Sequence, residues 1–294
     1  MRYKQHSARR EATHRIRFAH MAVFLAGAVL FIGGPIAWFA TPWPTEAARY
    51  AWREWREPVL AIALDRSDAR LAMEIGNAYY GAPPLGSRVP RYDPALAKRA
   101  FSKALAIKPG ILWGHYSLAR IAFAEGSFET ALADINAELV ANPENLRSLY
   151  IRGLIYGYRD RPGDLAHAES DFTRFTSWAP LEWAGHNDLA WILTKEGQYA
   201  EVEDVIKRAF AQVPEGRENP WLWNALGVAR LNASDAEGAA EAFGEALARA
   251  RELTPADWRR AYSGNNPARD AAGLEAFVSG ILENLAHAGG EEGP

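Results

Sequence analysis

"HNDLAWILTKEGQYAEVEDVIKRAFAQVPEG", residues 186–216, reads as two amphipathic runs joined at a glycine and closed by a proline. In a frame opened at Trp183, the apolar side of the first run is Leu189, Ala190 and Leu193. Tyr199, Val202, Ile206, Ala209 and Phe210 recur at helical spacing in the second. Gly197 makes the turn and Pro214 the stop, so the unit is a helix hairpin running 34 residues to Gly216. Such a hairpin leaves one apolar face uncovered. If it recurs at a fixed interval, the copies stack into a solenoid, and function is to be sought on a surface rather than in a catalytic pocket.

It does recur. Residues 112–145 place Leu118, Ala119, Ala122, Gly126, Phe128, Ala131, Ile135, Leu139 and Pro143 at the same offsets. Residues 220–253 supply Trp223, Leu226, Gly227, Ala239, Phe243, Ala246 and Leu247. Residues 146–182 fit with about three extra positions around "DRPGD". Residues 69–111 fit with about nine extra in the turn "GAPPLGSRVPR", after which Asp93–Pro94 has the form of an N-cap followed by proline at the first helical position. Small residues let the paired helices approach, large ones fill the seam, and Gly and Pro punctuate the turns. Beyond the fifth copy, Leu274, Phe277, Val278, Ile281, Leu282 and Leu285 share one side of a helix that Asn266 and Pro267 would start. That helix is expected to cap the open end of the stack. The fold class expected is all-α.

These residues resemble the tetratricopeptide repeat (TPR) family, whose unit is a 34-residue helix–turn–helix with a W-x2-L-G-x2-Y, A-x3-F, P pattern. The resemblance covers residues 69–253 in five copies. It implies a non-catalytic module that holds a protein partner, as an extended peptide or a helix, in a concave groove lined by the first helix of each repeat. By the family's groove positions the lining is Arg70, Met73, Asn77 and Tyr80, then Trp113, Tyr116, Arg120 and Phe123, then Arg147, Tyr150 and Leu154. Asn187, Trp191 and Thr194 follow, and then Trp221, Asn224 and Val228. Trp, Tyr and Arg are the types that most often carry interface energy, and Asn can pair with a partner's backbone. Packing against neighbouring repeats is the other use of the same aromatics. Co-chaperone members grip a terminal carboxylate with Lys and Asn on their first groove helix; Met73 and Asn77 stand here instead, which departs from that pattern.

Upstream of the repeats, residues 18–40, "FAHMAVFLAGAVLFIGGPIAWFA", hold no Asp, Glu, Lys or Arg. As a helix they reach about 34 Å, enough to cross a bilayer core. A transmembrane anchor is expected. A cleaved signal peptide is the rival, but Trp38 stands where the cleavage site needs a small residue. Residues 1–17 carry six basic groups against one acidic group, which should keep this tail cytoplasmic and place the repeats on the exported side, as in a bacterial cell envelope. Residues 41–68 form a Trp-rich connector whose helix breaks near Pro58, either lying on the membrane or packing on the first repeat.

Outside the tail, 27 basic groups face 35 acidic ones, against the clustered positive charge that nucleic acid requires. The chain has no Cys, which removes thiolate metal sites and Cys nucleophiles. His115, His167, His186 and His287 are too scattered for a local metal motif, and no P-loop, G-x-S-x-G or H-E-x-x-H occurs. No catalytic residue and no cofactor is therefore expected. The functional expectation is a membrane-anchored scaffold or adaptor. The alternatives are a periplasmic chaperone or biogenesis factor that holds extended clients, and a regulator of an envelope-synthesis enzyme.

Overall fold

The computed structural model describes residues 43–80, 92–262 and 267–290, and every regular element in them is helical. The chain divides into two compact units, 1–68 and 69–294.

In the first unit, α1 (Trp43–Tyr50) runs into a π-helical turn, Ala51–Trp55. The path breaks at Arg56, which is left-handed (φ 58°), and α2 (Pro58–Leu64) restarts with proline at its first position. Ala48, Ala51 and Ala61 are fully buried between them, with Trp52 and Ile62 nearly so. The Arg49 guanidinium donates to Asp68, and the Thr45 and Ser67 hydroxyls lie 2.9 Å apart. The expected membrane span, 18–40, lies outside the described residues; among those described, no helix is long and apolar enough to cross a membrane.

The second unit contains five successive helix hairpins among its described residues. They are α3 (Ala69–Tyr80) with α4 (Pro94–Ile107), α5 (Gly114–Ala124) with α6 (Phe128–Ala141), and α7 (Arg147–Arg159) with α8 (Asp164–Trp178). Next come α9 (Trp183–Lys195) with α10 (Tyr199–Gln212), and α11 (Pro220–Asn232) with α12 (Ala236–Ala250). Within each hairpin the two helices pack along their length, and each first helix from α5 onward also touches the next. The ends obey local chemistry. Asp93 Oδ1 accepts from Leu96 N–H at 2.9 Å ahead of Pro94, and Gly126 and Gly197 take φ of 72° and 76° in the turns, where a Cβ would be strained. The fifth hairpin has Ser234 at that place, also left-handed at φ 65°.

One contact sets how closely the paired helices approach. A Cβ on Gly76 would lie 2.4 Å from Phe101 Cε1, one on Gly153 2.9 Å from Phe172 Cζ, and one on Gly227 2.5 Å from Phe243 Cε1. At the same two positions the second and fourth hairpins have Ala119 with Ile135 and Ala190 with Ile206, all fully buried. Where the first helix gives up its methyl group, the second fills the space with a ring; where it keeps the methyl, the partner shrinks to Ile. The seam thus stays filled by either pair. Ion pairs add to it in the third hairpin, where Arg152 grips Asp171 at 2.7 and 2.8 Å and Arg159 grips Asp164 at 2.7 and 2.8 Å, each bidentate.

After α12, a Thr254–Asp257 capping box opens the short α13 (Pro255–Ala261), and α14 (Asp270–Ala288) follows. The expected cap Asn266 lies outside the described residues. Ile281 is buried against Ala239, Phe243, Ala246, Leu247 and Ala250 of α12, with Phe277, Val278 and Leu285 partly covered. Leu282 does not share that face and remains 43% exposed, because one residue beyond Ile281 the helix has turned by about 100°.

Candidate functional site

The first helices bring their side chains together in three groups. At the start, Tyr80 on α3 donates its hydroxyl to the Arg120 carbonyl of α5 at 3.0 Å and stacks on Tyr92. The Arg120 guanidinium lies over the rings of Tyr80 (5.4 Å) and Tyr116 (5.8 Å). Burial pushes the Tyr80 phenol up to about 12, with the Arg120 charge opposing. Trp113 packs edge-on to Tyr116 at 5.0 Å and stands just before α5 in a left-handed conformation. Its backbone N–H and that of Tyr116 donate to the Glu138 carboxylate of α6 at 2.9 and 3.2 Å. Glu138 is fully buried and also accepts from the side chains of Asn142 and Asn145, so this carboxylate acts as a cap for the N-terminus of α5.

The middle group centres on a carboxylate. The Tyr150 hydroxyl of α7 donates to Asp188 Oδ2 of α9 at 2.6 Å, and Asn187 Nδ2 donates to its Oδ1 at 2.9 Å. No Lys, Arg or His among the described residues pairs with Asp188. Burial pushes its carboxyl up to about 6, with the two hydrogen bonds opposing. Its field reaches the phenols of Tyr158 and Tyr262, both raised chiefly by burial and further by Asp188. Beside it Trp191 packs on Tyr158 at 4.9 Å, and Lys195 lies over Trp191 at 5.4 Å while its ammonium binds Asp160 and the Gly157 carbonyl. Gly157 makes this possible, since a Cβ there would meet the Trp191 ring at 2.6 Å.

The last group closes on itself. Trp221 stacks on Trp183 at 4.8 Å and on Phe277 of α14 at 5.4 Å, with Trp258 and Tyr262 against it, and is only 8% exposed. Asn224 Oδ1, one turn on, is buried with no hydrogen-bond partner among the described residues.

The groove positions named from the sequence therefore fall into different surroundings. Met73, Tyr80 and Trp221 are buried, while Arg70 and Asn77 are exposed. Trp113, Tyr116, Arg120, Tyr150, Asn187, Trp191 and Asn224 are half-buried, as is Phe123, which packs on Phe128 and Tyr158. Arg147 is exposed, paired with Glu182 at 2.6 Å and lying over Trp178. Asp188, Tyr158, Trp183 and Tyr262 were not among those positions. Asp188 is adjacent to Asn187, and its charge on a helix otherwise rich in apolar residues was the available signal. Among the described residues, no group of three or more His, Asp or Glu could hold a metal ion.

No family model and no curated protein matches the chain. Solved structures do. It is similar to TTC0263, a thermophilic TPR protein of Thermus thermophilus, at 20% identity and TM-score 0.51 over 74% of this chain and 100% of that one. It is similar to PilW, a widely conserved type IV pilus biogenesis factor, at 18% and 0.53 over 74% and 97%. With YrrB, a TPR protein with an unusual peptide-binding site, the values are 16% and 0.51 over 66% and 93%. These likenesses show a TPR-type fold.

Proposed function

We propose that this protein is a non-catalytic, membrane-anchored TPR scaffold that holds a segment of a protein partner along the concave face formed by its first helices. The observation that carries the reading is the set of half-buried Trp, Tyr, Arg and Asn side chains on α5, α7 and α9 and at the start of α5, including Trp113, Tyr116, Arg120, Tyr150, Asn187 and Trp191. Trp and Tyr combine large contact area with little rotamer freedom to lose, and Arg and Asn add hydrogen-bonding capacity. The anchor rests on the uncharged stretch 18–40 and on the basic tail before it, which would put the repeats on the exported side of a bacterial inner membrane. The partner, on this reading, lies beside the membrane.

The test replaces Trp113 and Tyr116 together with Ala in the full-length chain, in its own membrane. Partner capture should weaken by about 2–4 kcal/mol, the usual cost of removing aromatic anchors. Glu201→Gln with Lys207→Gln on α10 should leave capture nearly unchanged, because both side chains are exposed and surface charges contribute little. A folded groove variant that retains every wild-type partner would refute the proposal. Capture of many unrelated unfolded chains in place of one folded complex would select the chaperone reading instead.

A further inference from the structure

Among the described residues, Asp188 is a carboxylate with no cation paired to it. It has about four lone-pair directions, of which the Tyr150 hydroxyl and the Asn187 amide take one each. Both donors are neutral, so they orient the charge without cancelling it. A carboxylate in such surroundings is costly unless paired, and the cost shows in its raised proton affinity. The nearest cation along its helix, Lys195, is committed elsewhere, to Asp160 at 2.8 Å and to the Gly157 carbonyl at 3.1 Å. Arg147 is committed to Glu182 and Arg120 lies over the rings of Tyr80 and Tyr116. Among the described residues, Asp188 thus stands on the first helices as an oriented negative charge with no paired cation. Asp188 as a residue is half-buried, and Tyr158, whose phenol its charge reaches, is 59% exposed.

The walls suit the same ligand. Tyr158 and Trp191 present packed rings on one side, and the charge of Asp188 also reaches the phenol of Tyr262, just after α13. Aromatic faces attract a cation, most strongly where water is displaced. A partner's backbone N–H would satisfy a lone pair but leave the charge standing, and an anion would be repelled. A Lys or Arg side chain supplies both the charge and an alkyl stem to lie along the rings.

We propose that Asp188, with Tyr150, Tyr158, Trp191 and Tyr262 around it, receives a Lys or Arg side chain from an extended segment of the protein partner. This rests on the scaffold reading above and adds a residue-level specificity to it: one fixed basic position in the bound segment.

The experiment selects displayed random short peptides against the full chain in detergent micelles. Wild type should enrich peptides with Lys or Arg at one position, and W113A/Y116A should lose the selection. D188N keeps an oxygen to accept from Tyr150 but no charge. It should bind the selected peptides about tenfold or more weakly, the loss of a charge-assisted contact, and should show no basic preference when selection is repeated. E201Q, exposed on α10, should behave as wild type. Groove-dependent peptides with no basic position, or a basic preference that survives in D188N, would overturn the inference and leave the scaffold reading standing. Peptides selected equally well by W113A/Y116A and by D188N would overturn both.

Discussion

Replacing Gly227 with Ala should jam the fifth hairpin, and a second substitution should release it. The new Cβ would stand 2.5 Å from Phe243 Cε1 and 2.6 Å from Cδ1, about 1 Å inside a normal carbon–carbon contact. Phe243 has no exposed surface and is hemmed by Ala239, Ala246 and Ile281, so its ring cannot swing aside. Over-packing of this kind costs about 1–3 kcal/mol. The change also removes a mid-helix glycine, which returns about 1 kcal/mol. The net expected for G227A is a loss of up to about 2 kcal/mol. F243I alone leaves a cavity at about the same cost. Together they install the pair that Ala190 and Ile206 form in the fourth hairpin, so G227A/F243I should be no less stable than F243I. Denaturant unfolding followed by circular dichroism on the wild type, two singles and the double gives the coupling, expected to be at least about 1 kcal/mol in favour of the double. Additivity of the two losses, or a G227A variant stabilised by its helix-propensity gain, would refute this account of the seam.

Two further substitutions test the charge and the turn. Asp188 has a carboxyl raised to about 6 from 3.8, so the fold prefers its protonated form; that contribution is full below pH 3.8 and is lost as pH rises through about 6. Its facing phenols, Tyr150, Tyr158 and Tyr262, are all raised and stay neutral across this window. Uncharged D188N should therefore be more stable than wild type at pH 7.5, by about 1–3 kcal/mol once partial exposure is allowed for, and nearly equal to it at pH 3.5. Equal melts at both pH values would contradict a charge held at a cost. Ser234 sits at φ 65° where Gly126 and Gly197 occupy the equivalent turns, so S234G should raise stability by up to about 1 kcal/mol. A lowered melting temperature would show that the Ser234 side chain outweighs its backbone strain.

The repeat was legible because its signals are local. Gly76, Gly153 and Gly227 recur at one offset in the first helices, and Phe101, Phe172 and Phe243 match in the second once the enlarged turns of the first and third copies are allowed for. Asp93 and Pro94 announced the start of α4 for the same reason. The surroundings of the groove positions were not legible, since they depend on contacts between residues far apart in sequence. Tyr150 meets Asp188 only because α7 and α9 lie side by side at one rotation, and a frame that selects Asn187 passes over its neighbour. Trp221 meets Trp258, Tyr262 and Phe277 because the segment after the fifth hairpin returns across it, which no 34-residue period encodes. Leu282 shows the same limit in one helix, where apolar character did not decide which side is covered.

The most direct measurement of the central claim places a photo-crosslinking amino acid in the full-length chain, one site at a time, at Tyr116, Asn187 and Trp191 on the first helices and at Lys103, Glu201 and Glu237 on the second, and illuminates intact membranes. The account predicts that the first set crosslinks to one and the same protein partner and that the second set does not. Crosslinks to that partner from the second set alone, with none from the first, would contradict it.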